Sequence, residues 1–168
     1  MNRRISLTIS TILLVLLCLA TVMRSALYID EATFWSDVAQ KSPAKARPLT
    51  MLGIQAQNRG DEQAATKYFE RAVELQPDYP EALNDLAIIY SRSNKRDQAR
   101  ELLQRAVQRA PRSLTFRSNL AMLYYLNNMQ DHAIREYTTI IATAPRSPEA
   151  AFARQMLPRI GDATSGGK

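Results

Sequence analysis

Very few side chains in this sequence are of a type that could do covalent chemistry. His132 is the only histidine and stands beside Asp131, and Cys18, the only cysteine, lies inside an apolar run. A Ser/His/Asp arrangement needs three groups converging on a pocket, and one histidine with one distant cysteine does not complete a metal shell. No glycine-rich phosphate loop occurs. The sequence therefore predicts no enzyme, no cofactor and no metal, and reads His132 as a solvent-facing residue at the start of a helix. What it does carry is recognition chemistry. Three groups of residues mix amides with apolar anchors: Met51, Ile54, Gln57 and Asn58; Asn84, Asp85, Ile88 and Arg92; Ser118, Asn119, Met122 and Tyr125. Amides bond an extended peptide backbone, and Ile88, Met122 and Tyr125 can seat its side chains, so these twelve are the candidate lining of a groove for a peptide or protein partner.

Charge adds a weaker signal. The chain has 22 basic and 16 acidic residues, a net charge of +6. Much of the excess falls in one stretch, where Arg92, Lys95, Arg96, Arg100, Arg105, Arg109, Arg112 and Arg117 enclose only Asp97 and Glu101. Spread over a turn, a helix and the next helix start, these residues read first as a solvated surface. An acidic protein partner or anionic headgroups come next, and nucleic acid last, because no base-stacking aromatics accompany the arginines.

The elements that must position the groove are announced by proline. Pro43, Pro77, Pro111 and Pro145 are 34 residues apart each time. Proline lacks an N–H and clashes with the preceding turn, so evenly spaced prolines imply one helical unit used repeatedly. Other residues keep the period. Residues 46–79 carry Leu52-Gly53, Gly60, Ala65, Phe69, Ala72 and Pro77; residues 80–113 carry Leu86-Ala87, Tyr90, Asn94, Ala99, Leu103, Ala106 and Pro111; residues 114–147 carry Leu120-Ala121, Tyr124, Asn128, Ala133, Tyr137, Ile140 and Pro145. Small residues let two antiparallel helices approach to about 8–10 Å. Gly60, Asn94 and Asn128 suit the left-handed conformation that ends a helix, Phe69, Leu103 and Tyr137 act as wedges, and Pro80 and Pro148 suit a first helical turn. Ile140, where alanine is expected, points to wider packing against a terminal helix.

This pattern resembles the tetratricopeptide repeat, a helix-turn-helix of about 34 residues. The resemblance implies an all-α solenoid whose first helices line a concave surface, which is where the twelve candidate residues fall. Repeat proteins of this class that hold a terminal carboxylate use lysine and asparagine in the first repeat. Thr50 and Ile54 occupy the comparable face here, so that ligand class is disfavoured.

Both ends depart from the repeat. Residues 26–45 supply only a second helix, with Trp35 one period before Phe69, and the apolar segment takes the place of the missing first helix. Residues 148–158 read as a capping helix with Ser147 as its cap, Ala151, Phe152 and Met156 on its apolar side and Pro158 as its stop. Residues 159–168 read as a disordered tail. At the N-terminus, residues 5–23 hold 19 positions without a charge between Arg4 and Arg24. A helix of that length reaches about 28 Å, close to the roughly 30 Å hydrocarbon core. Residues 1–25 are thus expected to form a single transmembrane anchor. A cleaved signal and a lipoprotein signal compete with it, although Cys18-Leu19-Ala20 is a poor cleavage site and Leu17 is too large to precede a lipid-modified cysteine. Arg3 and Arg4 against Arg24 favour a cytoplasmic N-terminus and extracytoplasmic repeats, periplasmic in a bacterium.

The junction at 24–57, with Arg24, Phe34-Trp35, Asp37, Lys41-Ser42-Pro43, Lys45, Arg47 and Leu52-Gly53 after an apolar segment, is similar to that of polytopic tetratricopeptide membrane proteins of the protein O-mannosyltransferase kind. The resemblance implies repeats outside the cytoplasm. It carries no transferase activity over, because the catalytic membrane domain of those proteins has no counterpart here. The expectation is a membrane-anchored adaptor in a cell-envelope complex. An accessory or detached segment of a glycosyltransferase-type membrane system and a secreted repeat protein after signal cleavage are the alternatives.

Overall fold

The computed structural model describes residues 12–14, 16–20 and 31–165, and among them every regular element is a helix. The chain divides into two compact units, residues 1–43 and 44–168. In the first, α1 spans Glu31–Lys41, with Phe34 and Trp35 edge to face at 4.8 Å and Lys41 paired to Asp37 at 2.6 Å. Its register is one period before the second helix of the next repeat. Most of the segment read as an anchor lies outside the described residues; 12–14 and 16–20 are helical and their leucines are strongly exposed. Among the described residues no helix is long and apolar enough to cross a membrane.

The second unit is built from helix pairs: α2 (Ala46–Asn58) with α3 (Glu62–Leu75), α4 (Pro80–Arg92) with α5 (Arg96–Arg109), α6 (Leu114–Leu126) with α7 (Gln130–Thr143), and a last helix α8 (Pro148–Ser165). Each pair closes on small residues. Gly53, Ala65, Ala87, Ala99, Ala121 and Ala133 are all buried. The turn inside each pair is the same object. Gly60, Asn94 and Asn128 have φ of 78°, 60° and 56°. The next residue, Asp61, Lys95 or Met129, then donates its N–H back over the helix end to Ala56, Tyr90 or Tyr124 O at 2.9 Å. The helix starts are marked as the residue types require, with Ala64 N–H on Asp61 Oδ1 at 2.9 Å and Ala150 N–H on Ser147 Oγ at 3.1 Å.

Pro77, Pro111 and Pro145 each stand two residues beyond a helix end, and each proline carbonyl accepts an arginine N–H, from Arg105, Arg117 and Arg154 respectively. Neighbouring units are tied by a second periodic bond. The Tyr90 hydroxyl donates to Glu70 and Gln104 donates to the Tyr124 hydroxyl, both at 2.9 Å.

Helix α8 corrects the reading of Pro158 as a stop and of everything after it as a disordered tail: the helix continues to Ser165. An interior proline costs about 3 kcal/mol through its lost N–H and ring clash. Pro158 sits on the exposed side, while Met156 and Ile160, four residues apart, are 4% and 0% exposed. Burying such a side chain contributes about 1.5–3 kcal/mol, so the two together offset the proline. Residues 166–168 lie outside the described ones.

Candidate docking groove

First helices touch first helices along the stack, α2 with α4, α4 with α6 and α6 with α8, whereas the second helices form no comparable layer. The first helices are therefore the inner, more tightly curved side. Leu52, Ala56, Leu86, Ala87, Leu120 and Ala121 on these helices are buried, and all of the candidate residues except Asn84 lie outside the buried set.

The structure separates the twelve. Ile88, Arg92, Asn119 and Met122 converge on one cleft of about 400 Å³ between α4 and α6. Met51, Ile54, Gln57 and Asn58 stay on α2 away from it, and Ser118 and Tyr125 on α6 also lie outside its lining. Asn84 is a correction. Expected as an open amide, it is 5% exposed and occupied at both ends: it accepts from Asn119 Nδ2 at 2.8 Å and donates to Asp85 Oδ1 at 2.9 Å. These three polar residues form a relay joining α4 to α6. Burial pushes the Asp85 carboxyl up from the ordinary carboxylate range; the bond from Asn84 pulls it down and nearby Glu81 pushes it up.

The remaining lining comes from Ala87, Ser91, Leu103, Leu123 and Leu126. Ser91 and Leu126 were absent from the expected strip, although each stands one period after a residue that was included, Gln57 and Arg92. Leu103 was recognised as a wedge but not as the floor of a site. It is the short member of its set. Phe69 and Tyr137, one period to either side, are 0% exposed and fill their intervals. The third interval is further closed by Phe152, edge to face with Tyr137 at 6.1 Å, and by Met156 and Ile160 of α8. The cleft opens where an aliphatic wedge replaces an aromatic one.

The basic run is largely spent on the fold. Arg105 holds the Pro77 carbonyl, Arg109 pairs with Asp78 at 2.6 Å, Arg117 with Glu136 at 2.5 Å and Arg100 with Asp97 at 2.9 Å, while Lys95 lies over the Tyr90 ring at 4.7 Å. Among the described residues, Arg92, Arg96 and Arg112 are left without a carboxylate partner. His132 is exposed, its ring 5.0 Å from that of Tyr124. Among the described residues no cluster of His, Cys, Asp or Glu could hold a metal ion.

No curated protein matches the chain in sequence. The tetratricopeptide repeat family profile matches residues 58–113. Among solved structures, the first such domain of Spaghetti (RPAP3), bound to an HSP90 peptide, SRMEEVD, is similar at 20% identity and a TM-score of 0.63, over 72% of this chain and 96% of that one. MamA is similar at 21% identity and a TM-score of 0.68, over 78% of this chain and 75% of that one. The MamA RS-1 ArsTM double mutant gives 19% and 0.69, over 86% and 80%. At these identities the likeness is one of fold. With the periodic helix pairs and the family match, it gives residues 44–165 the tetratricopeptide-repeat fold.

Proposed function

We propose that the chain is a scaffold that docks a segment of a partner protein on the inner face of its repeats, at the cleft between α4 and α6, by binding without chemistry. The carrying observation is the cleft itself: an apolar floor and walls, a polar relay at one side and an unpaired arginine at the rim. Pockets of this size, mostly apolar with a few placed polar groups, are where ligands bind. That a similar fold holds a peptide in Spaghetti supports the reading. The terminal-carboxylate mode is disfavoured, since the Thr50 hydroxyl is bonded to Ala46 O at 3.1 Å and Ile54 brings no polar group.

Residues 5–23 are proposed to anchor the scaffold in a membrane, with the repeats extracytoplasmic and the partner in a cell-envelope complex; their charge-free length is the support. Two experiments test these points. A stoichiometric partner co-purified from membranes should be lost with Met122→Glu and kept with Thr138→Glu on an outer helix; equal retention by both sinks the groove. Alkaline carbonate extraction should leave the chain in the membrane pellet, and release into the supernatant contradicts the anchor.

A further inference from the structure

We infer that the cleft selects an internal segment of the partner in which aliphatic side chains stand next to carboxylates, and that Leu103 is the residue that sets this choice. The inference rests on the docking role proposed above and specifies its ligand.

The size of the wedge decides where a side chain can enter. At the first interval Phe69 lies so close to Gly53 that a Cβ there would be 2.5 Å from the ring, which leaves no room for a guest. At the third, Tyr137, Phe152, Met156 and Ile160 close the space from both sides. The middle interval keeps about 400 Å³ open above Leu103. A guest there meets Ile88, Met122 and Leu126, and the one amide at the wall, Asn119, already donates to Asn84. The lining is mainly aliphatic, with Ser91 and Arg92 at the end of α4; among Ile88, Met122 and Leu126 a polar side chain would lose its water without full replacement, so the guest at that place is apolar.

Charge supplies the second half. Arg92, exposed at the end of α4, lines the cleft, and Arg96 opens α5 four residues later. Arg100, Arg109 and Arg117 of the same run have carboxylate partners; Arg92 and Arg96 have none among the described residues. The cleft is thus positive where Arg92 meets it, on the side of the α4–α5 turn. A partner segment complements it with Asp or Glu beside its aliphatic residues, aimed toward that turn. Because Arg92 stands beside the apolar cleft and the first repeat brings no lysine to the strip, the carboxylates are side chains rather than a chain end.

The test uses full-length protein in detergent and an array of twelve-residue synthetic peptides, acetylated and amidated, with central residues varied and flanks of Glu, Lys or Ser. The wild type is expected to retain peptides with Leu, Ile or Met beside Glu. Leu103→Phe should fill the floor and weaken them about tenfold or more, the loss of roughly one buried aliphatic contact. Tyr137, whose unit carries Ala121 where this one carries Ala87, indicates that the stack accepts a ring at this position. Should that variant melt early, Leu126→Gln, at a position 49% exposed, removes a wall without touching the core and should weaken binding similarly. Arg92→Glu with Arg96→Glu should turn the flank preference from Glu to Lys. Peptides that bind with no such preference, or bind folded Leu103→Phe unchanged, overturn the inference and leave the docking role standing. No retained capped peptide alongside a partner still lost in Met122→Glu also overturns it, and loss of that partner dependence overturns the docking role itself.

Discussion

Gly53 and Phe69 illustrate how a single position in this repeat dictates the size of another. The same position is alanine in the other two units, but in the first a methyl group would stand 2.5 Å from Phe69 Cε1. Gly53→Ala is therefore expected to destabilise the domain by about 1–3 kcal/mol, the range for overpacking, as measured by urea unfolding. Two tyrosines give a pH prediction. Tyr90 and Tyr137 are each pushed from 10.0 up to about 12, burial being the largest cause in both, with the bond to Glu70 adding for Tyr90 and nearby Tyr125 for Tyr137. A raised folded-state value means that the stability is fully present below about pH 10 and is lost as pH climbs toward about 12, where unfolded tyrosines ionise first. Phenolate absorbance against pH should show these two ionising well above the ordinary tyrosine range. The Tyr137 hydroxyl is also buried without a hydrogen-bond partner among the described residues. Tyr137→Phe should raise stability by about 1 kcal/mol, whereas Tyr90→Phe should lower it by roughly as much. The small residues and wedges were legible in the sequence because size alone recurs at the period. An orphaned hydroxyl was not, since phenylalanine and tyrosine serve the same place in the pattern.

At the scale of elements, α8 is where sequence reading and structure part. Proline was a sound stop signal for α3, α5 and α7, each of which ends two residues before one. At Pro158 the same residue stands inside a helix, because Met156 and Ile160 hold the backbone on both sides of it through their burial. The four-residue spacing of those two side chains was present in the sequence, but a proline outweighs one apolar pair when tertiary contacts are unknown. The consequence is measurable. Truncation after Leu157, neutral for a disordered tail, should instead lower stability by about 2–5 kcal/mol, as for loss of a buried isoleucine. Pro158→Ala should raise it by up to about 3 kcal/mol. Unchanged melting in both variants would return the tail to disorder.

For the whole molecule, a stack whose units bond mainly to their neighbours has intervals rather than a central pocket. The period located the intervals, and four of twelve expected groove residues, Ile88, Arg92, Asn119 and Met122, line the cleft at the middle one. What the period could not convey is which interval opens, since that depends on the volume of Leu103 against Phe69 and Tyr137 and on α8 closing the next one. It also could not show that Asn84 is consumed by the relay to Asn119 and Asp85. In the proposed docking mode a partner segment occupies this interval on the inner face. Photo-crosslinking in native membranes from positions 88, 122 and 126, with positions 108 and 138 on the outer helices as controls, tests it most directly. One shared partner adduct is expected from the three inner positions and none from the outer two; adducts of equal yield from both faces, or from the outer face alone, would rule this docking mode out.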